Sequence, residues 1–199
     1  YTNVQTINKD FLKDHFGTKY GPFFKCNPNV LDISPGAENS NLSDTHGTDS
    51  LNYQPYYGIK SNYGWKSLYN FIDTLNNFPS SIDKVLNIDR TLWMHAINYT
   101  LINFDSYVGY GQNYYLYKNA ANQFNPILWD LNMSFGSFRL SDASSIYFSG
   151  FNINQAQNMD PLLHHYQISV SPRPLLRNLF LNERNRKMYL AHIRTIIKE

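Results

Sequence analysis

The sequence predicts an α+β domain that is mostly helical and carries one central β-hairpin. Three observations lead there. Apolar residues recur at helical spacing through several separate stretches. The period switches to two only around "NYYLYKNAANQFNPILW", residues 113–129. The segment from Lys19 to about Tyr57 is rich in Pro, Gly, Ser and Asn and has no helical period at all. At 199 residues the chain fits one domain able to bury its own core.

The elements follow in order. In "YTNVQTINKDFLKDHFG", Val4 and Ile7 suit a short extended segment. Asn8 offers an N-cap, Phe11, Leu12 and His15/Phe16 form a stripe, and Gly17 supplies the stop. A strand is predicted at Pro22–Cys26. The segment "SPGAENSNLSDTHGTDS", residues 34–50, is expected to be a flexible loop. Leu68, Phe71, Ile72 and Leu75 then place one apolar face on a helix. Ser80 and Asp83 form a capping pattern for a short helix through Leu86. A longer helix is predicted from about Asp89 to Ile102, with Trp93, Ile97, Thr100/Leu101 and Phe104 on its inner side. The hairpin comes next, its strands joined by the turn-rich "KNAANQ". After an irregular stretch from Gly136 to Ser171, Pro172 lies near a helix start and "PLLRNLF" supplies its stripe. Asn182 caps a last helix, with Met188, Ile193, Ile196 and Ile197 facing inward.

Composition narrows the function classes. Seventeen basic residues against 15 acidic leave a net charge of +2, which argues against nucleic-acid binding driven by bulk charge. Sixteen Tyr, 13 Phe and 3 Trp among many Asn would suit a protein that meets sugars or works outside the cytoplasm. The single Cys26 cannot form an internal disulfide. No apolar run approaches the roughly 18 residues of a membrane span. The chain starts at Tyr1 without a Met and ends on a helical pattern, as an excised piece of a longer protein would.

One constellation carries chemistry. Asp105 follows the long helix, Asn113 starts the first hairpin strand, and Asp130 ends the second in "NPILWDLNMSFG". Antiparallel strands about 5 Å apart bring the outer ends of a hairpin together. Asn113 and Asp130 are therefore expected to be neighbours, with Asp105 arriving by the loop that feeds the first strand. Singly, an Asp after a helix serves as a solvated cap and an Asn before a strand as a turn residue. Together, two carboxylates and an amide oxygen on one rim suit Mg²⁺ or Mn²⁺. Phosphoryl transfer uses such a set, one Asp orienting the hydroxyl and an Asp and Asn holding metal on the nucleotide phosphates.

"NYYLY" followed by "ILWDLNMSFG" resembles the signature of the spore coat protein H (CotH) kinase family, atypical protein kinases related in fold to the secretory-pathway kinases. The likeness continues through "VQTINKDFLKDHFG", "GPFFKC", "YGIKSN", "LYNFIDTLNN", "NFDSY" and "RPLLRNLFLNERNRKMY", and is weakest in 34–50 and 138–160. It implies the helical large lobe of a kinase-like fold, with the small lobe largely missing from these residues. Residues 1–16 would then be the hinge segment and first helix, and 17–199 the lobe carrying the hairpin. The resemblance implies that Asp105 is the catalytic aspartate, Asp130 the metal-binding one and Asn113 an accessory metal ligand. It implies ATP and Mg²⁺ or Mn²⁺ as cofactors, Ser and Thr of a protein as acceptor, and a location outside the cytoplasm or at the cell surface. Val4, Gln5, Thr6 and Ile7 fall in the hinge and would face the nucleotide, although the family usually has Glu in place of Gln5. Neither Lys9 nor Lys25 matches the lysine that pairs nucleotide phosphates.

Other residues read as structural. His164 and His165 are adjacent, so they diverge on any regular element. His95, beside Trp93, suits packing or capping. Sequons at Asn41, Asn98 and Asn132 are cheap in an Asn-rich chain, and a glycan on Asn132 would obstruct the metal motif. No role can be derived for Lys60. Arg173, Arg177, Arg184, Arg186 and Arg194 bias the C-terminal helices toward a basic, solvated face or a dock for an acidic substrate. Two functions compete with the kinase: a catalytically silent scaffold that binds glycans or surface proteins, and a purely structural coat or envelope protein.

Overall fold

The computed structural model describes residues 5–32, 34, 37–136, 158, 160–162 and 173–199. Helix α1 (Lys9–Phe16) opens them. Asn8 accepts from the Asp10 and Phe11 amides, and Gly17 ends the helix in the left-handed conformation, as predicted. Strand β1 (Phe23–Cys26), helix α2 (Ser50–Tyr53) and strand β2 (Tyr57–Ile59) follow, the last two without a sequence signal. Helix α3 (Trp65–Asn77) buries Leu68, Phe71, Ile72 and Leu75, the predicted face. Pro79–Lys84 is a 3-10 helix that ignores the Ser80/Asp83 pattern. Pro79, with its fixed φ, starts it one residue earlier, and its N-cap Phe78 makes no side-chain cap. Next come α4 (Ile88–Thr100), α5 (Tyr107–Tyr110), β3 (Tyr114–Lys118) and β4 (Phe124–Leu128). Helix α6 (Pro174–Phe180) starts on Pro174, and α7 (Glu183–Lys198) is capped by Asn182. Pro172 and most of the stretch 136–171 lie outside the described residues.

The predicted hairpin is half of a larger unit. All four strands form an antiparallel sheet in the order β2-β1-β3-β4. Within the hairpin Tyr114 pairs Leu128 and Lys118 pairs Phe124. Pro126 is tolerated because β4 is the edge strand. Both faces of the sheet are covered. Phe24, Cys26, Tyr57, Tyr114, Leu116 and Phe124 join the main core with helices α3, α4, α6 and α7. Phe23, Tyr115, Tyr117 and Ile127 form a second cluster with Leu12 of α1, against which Ile7 and Trp129 pack. Covering on both sides explains the unbroken "YYLY", buried at every position.

Four expectations need correction. Within the segment expected to be a flexible loop, a strip is threaded into the core, with Asn39, Ser40, Asn41, Leu42 and Ser43 all buried. Tyrosine hydroxyls satisfy its backbone: Tyr114 donates to the Ser40 carbonyl (2.6 Å), Tyr107 donates to the Asn41 carbonyl (2.8 Å), and the Leu42 amide donates to Tyr57 Oη (2.9 Å). The inner side of α4 carries Thr91, Leu92, Met94, His95, Ala96, Asn98 and Tyr99, while Trp93 and Ile97 are only half-buried. This helix contacts β4, α5 and α7, so most of its circumference is covered and a single stripe misreads it. Trp93 stacks on His192 of α7 at 4.1 Å, and His192 meets Asp89 at 2.9 Å. Ile197 is exposed, being in the last turn of α7. Arg173, grouped with the basic surface residues, is buried and donates to the Val108 and Gly109 carbonyls of α5.

Candidate active site

The site is built where α4 ends. Leu101 caps the helix, and Ile102 turns the chain with φ 52°, a costly conformation for a β-branched residue. The turn directs Asn103 into the interior, where it is fully buried. Its amide nitrogen donates to Asn98 Oδ1 (3.0 Å) and to the backbone carbonyl of Asp130 (3.3 Å). The chain then passes Asp105, which is half-buried, and folds back through α5. Gly109 is required there, because a Cβ would lie 1.9 Å from the Phe104 carbonyl oxygen.

The turn from α5 into β3 faces Asp105. Gln112 and Asn113 are both buried. Gln112 Nε2 donates to Asp105 Oδ1, and Asn113 Nδ2 donates to the Asp105 backbone carbonyl at 2.9 Å. Two successive side-chain amides thus hold one acid by its carboxylate and by its main chain. The donor atom of Asn113 is engaged, so its oxygen is the atom left to accept or to ligate.

Asp130 lies two residues beyond the Tyr114–Leu128 pair and is half-buried. The loop after it returns to the end of α4: the Phe135 amide donates to the Leu101 carbonyl (2.6 Å) and Gly136 to that of Ile102 (3.2 Å). Strand pairing and this loop both bring the Asp130 segment to the rim that carries Asp105. Of seven described non-glycine residues with positive φ, four lie here: Ile102, Asn113, Asp130 and Phe135. Strained backbone gathers where surrounding structure holds it in place, and functional sites are where it clusters.

Hard oxygen ligands, carboxylate and amide, match the divalent cations that accompany nucleotides. Among the described residues no group of three or more His, Cys, Asp or Glu could hold a metal. The candidate set has two carboxylates, and its third oxygen belongs to an asparagine. Of the residues expected to form a hinge, Gln5 and Thr6 are exposed and Ile7 packs in the same cluster as Trp129, next to Asp130. Val4, His164 and His165 lie outside the described residues.

The remaining candidates take structural roles. His95 is fully buried, and burial pushes its pKa down to about 3, so it stays neutral and its ring packs near Tyr107 at 5.6 Å. The sequons at Asn41 and Asn98 are closed to glycans because both side chains are buried, whereas Asn132 is exposed. Lys60 is exposed, and its backbone extends the β1–β2 pairing through the Phe23 carbonyl (2.8 Å).

Sequence reasoning missed Asn103 and Gln112. Each neighbours a predicted site residue, yet an Asn after a helix and a Gln in a turn carry no signal of their own. No curated protein matches the chain. The family model described as CotH kinase protein matches residues 1–199, and the chain therefore belongs to the CotH kinase family.

Proposed function

We propose that this chain supplies the catalytic and metal-binding lobe of a protein kinase that phosphorylates Ser or Thr hydroxyls with ATP and Mg²⁺ or Mn²⁺. What supports the reading is the hydrogen bonding around the two acids: Gln112 and Asn113 hold Asp105, and Asn103, two residues before it, holds the Asp130 main chain. Asp105 accepts the proton of the acceptor hydroxyl. The hydroxyl oxygen bonds to the γ-phosphorus, the bond from that phosphorus to the β–γ bridging oxygen breaks, and ADP leaves. Asp130, with the Asn113 oxygen, would hold the divalent cation, which neutralises charge on the phosphates. Residues 1–16 serve as hinge and first helix, with Val4, Gln5, Thr6 and Ile7 against the nucleotide base. The family's spore-coat connection supports a place outside the cytoplasm. No helix among the described residues is long and apolar enough to cross a membrane.

The scaffold alternative, a glycan- or surface-protein-binding module without catalysis, drew support from abundant aromatic residues. Among the described residues, nine of 13 tyrosines are buried and all three tryptophans are half-buried, so most of that content builds the core. The deciding experiment is transfer of labelled γ-phosphate to a Ser-rich peptide by the full-length protein. Metal-dependent transfer that EDTA abolishes supports the kinase. No transfer, together with glycan binding, supports the scaffold.

A further inference from the structure

We infer that Gln112 is a positioning residue for phosphoryl transfer, one that fixes the rotation of the Asp105 carboxylate through the bond from its Nε2 to Oδ1. The inference rests on the kinase reading above. The backbone that carries Gln112 is anchored, because its turn is wedged into the core. The Ser40 amide donates to the Gly111 carbonyl at 2.8 Å, and a Cβ on Gly111 would lie 3.1 Å from that of Asn41. Gly111, Gln112 and Asn113 are all buried.

The residue type matters as much as the place. A carboxylate that must receive a proton needs to be oriented without being neutralised. A lysine or arginine at this point would lower its proton affinity by a full opposing charge. A glutamine amide donates one hydrogen bond and brings no net charge, so it sets the plane of the carboxylate without the full opposing charge of a cation. Asn113 secures the main chain of the same acid at 2.9 Å, so the two amides hold Asp105 by its backbone and by its carboxylate.

The test uses Gln112→Leu and Gln112→Glu in the full-length protein, with thermal melting to establish folding. Gln112→Glu keeps the shape should the leucine variant fail to fold. Each folded variant is expected to lose roughly 10- to 100-fold in kcat, the effect of losing a hydrogen bond to a charged group. The KM for metal-ATP should stay within about twofold, since the bond from Gln112 goes to Asp105 and not to Asp130, the carboxylate proposed to hold the metal; a merely structural residue would not divide kcat from KM this way. An active wild type with folded variants of unchanged kcat overturns the role of Gln112 alone. A wild type that transfers no phosphate overturns the kinase reading and this role together.

Discussion

Asn113 Nδ2 donates to the backbone carbonyl of Asp105 at 2.9 Å, from a residue held at φ 58°. The residue just before the hairpin and the acid after α4 are thereby one mechanical unit. Asn suits the position twice, since it tolerates the left-handed region and carries the donor. Asn113→Ala loses both advantages and is expected to cost about 2–3 kcal/mol of stability. Asn113→Gly accepts the backbone conformation and should cost less, about 1–2 kcal/mol. Urea unfolding midpoints give the comparison. Equal losses in the two variants would show that the left-handed backbone contributes nothing.

Tyr114→Phe removes the hydroxyl that donates to the buried Ser40 carbonyl at 2.6 Å. The carbonyl then lacks that donor inside the core, at a cost of about 1–3 kcal/mol. The Leu42 amide, bonded to Tyr57 Oη, should resist hydrogen exchange in the wild type, despite its loop-like sequence, and exchange faster in Tyr57→Phe. Rapid exchange at Leu42 in the wild type would restore the flexible-loop picture.

That segment shows what sequence could and could not supply. Helix α1, the face of α3, the hairpin and the cap of α7 were legible because each depends on local chemistry: Asn8, the spacing of Leu68 to Leu75, the turn after Lys118, Asn182. The buried strip at 39–43 was illegible because its partners, Tyr57, Tyr107 and Tyr114, lie 15 to 74 residues away. β2 was missed for the same reason, being three residues defined by pairing with β1. At the site, Asp105, Asn113 and Asp130 stood out as polar groups at element ends. Asn103 and Gln112 act by reaching other residues' atoms, which composition does not record.

His95 should leave a signature in the pH dependence of stability. Its folded pKa, about 3, lies below the ordinary value because burial disfavours the charged ring. The unfolded chain therefore binds a proton that the folded one refuses. The stability due to neutral His95 is complete above roughly pH 6.5 and is lost as pH falls from there toward 3. Between about pH 4 and 6 the wild type should lose about 1.4 kcal/mol per pH unit more than His95→Gln. Denaturant titrations at several pH values measure the two slopes, and parallel slopes would rule out a neutral buried ring.

The two aspartates should separate by what metal can repair. Asp105 is proposed to receive the hydroxyl proton, so Asp105→Ala in the full-length protein should lower kcat strongly, by roughly 100-fold or more. Its affinity for metal-ATP should stay within a few-fold, because proton acceptance plays no part in binding. Asp130 is proposed to hold the cation between the phosphates. Asp130→Asn exchanges a charged oxygen for a neutral one and weakens the pull on the metal, so metal-ATP binding and turnover should fall together. Mass action then predicts different rescue. Raising Mg²⁺ or Mn²⁺ should refill a weakened site and recover part of the Asp130→Asn activity. It cannot replace a missing proton acceptor, and Asp105→Ala should remain inactive at every metal concentration. A phosphate-transfer assay on a Ser-rich peptide, titrated with metal for each variant, reads both effects. Full activity in both variants would falsify the kinase assignment, and metal rescue of Asp105→Ala in place of Asp130→Asn would exchange the two roles.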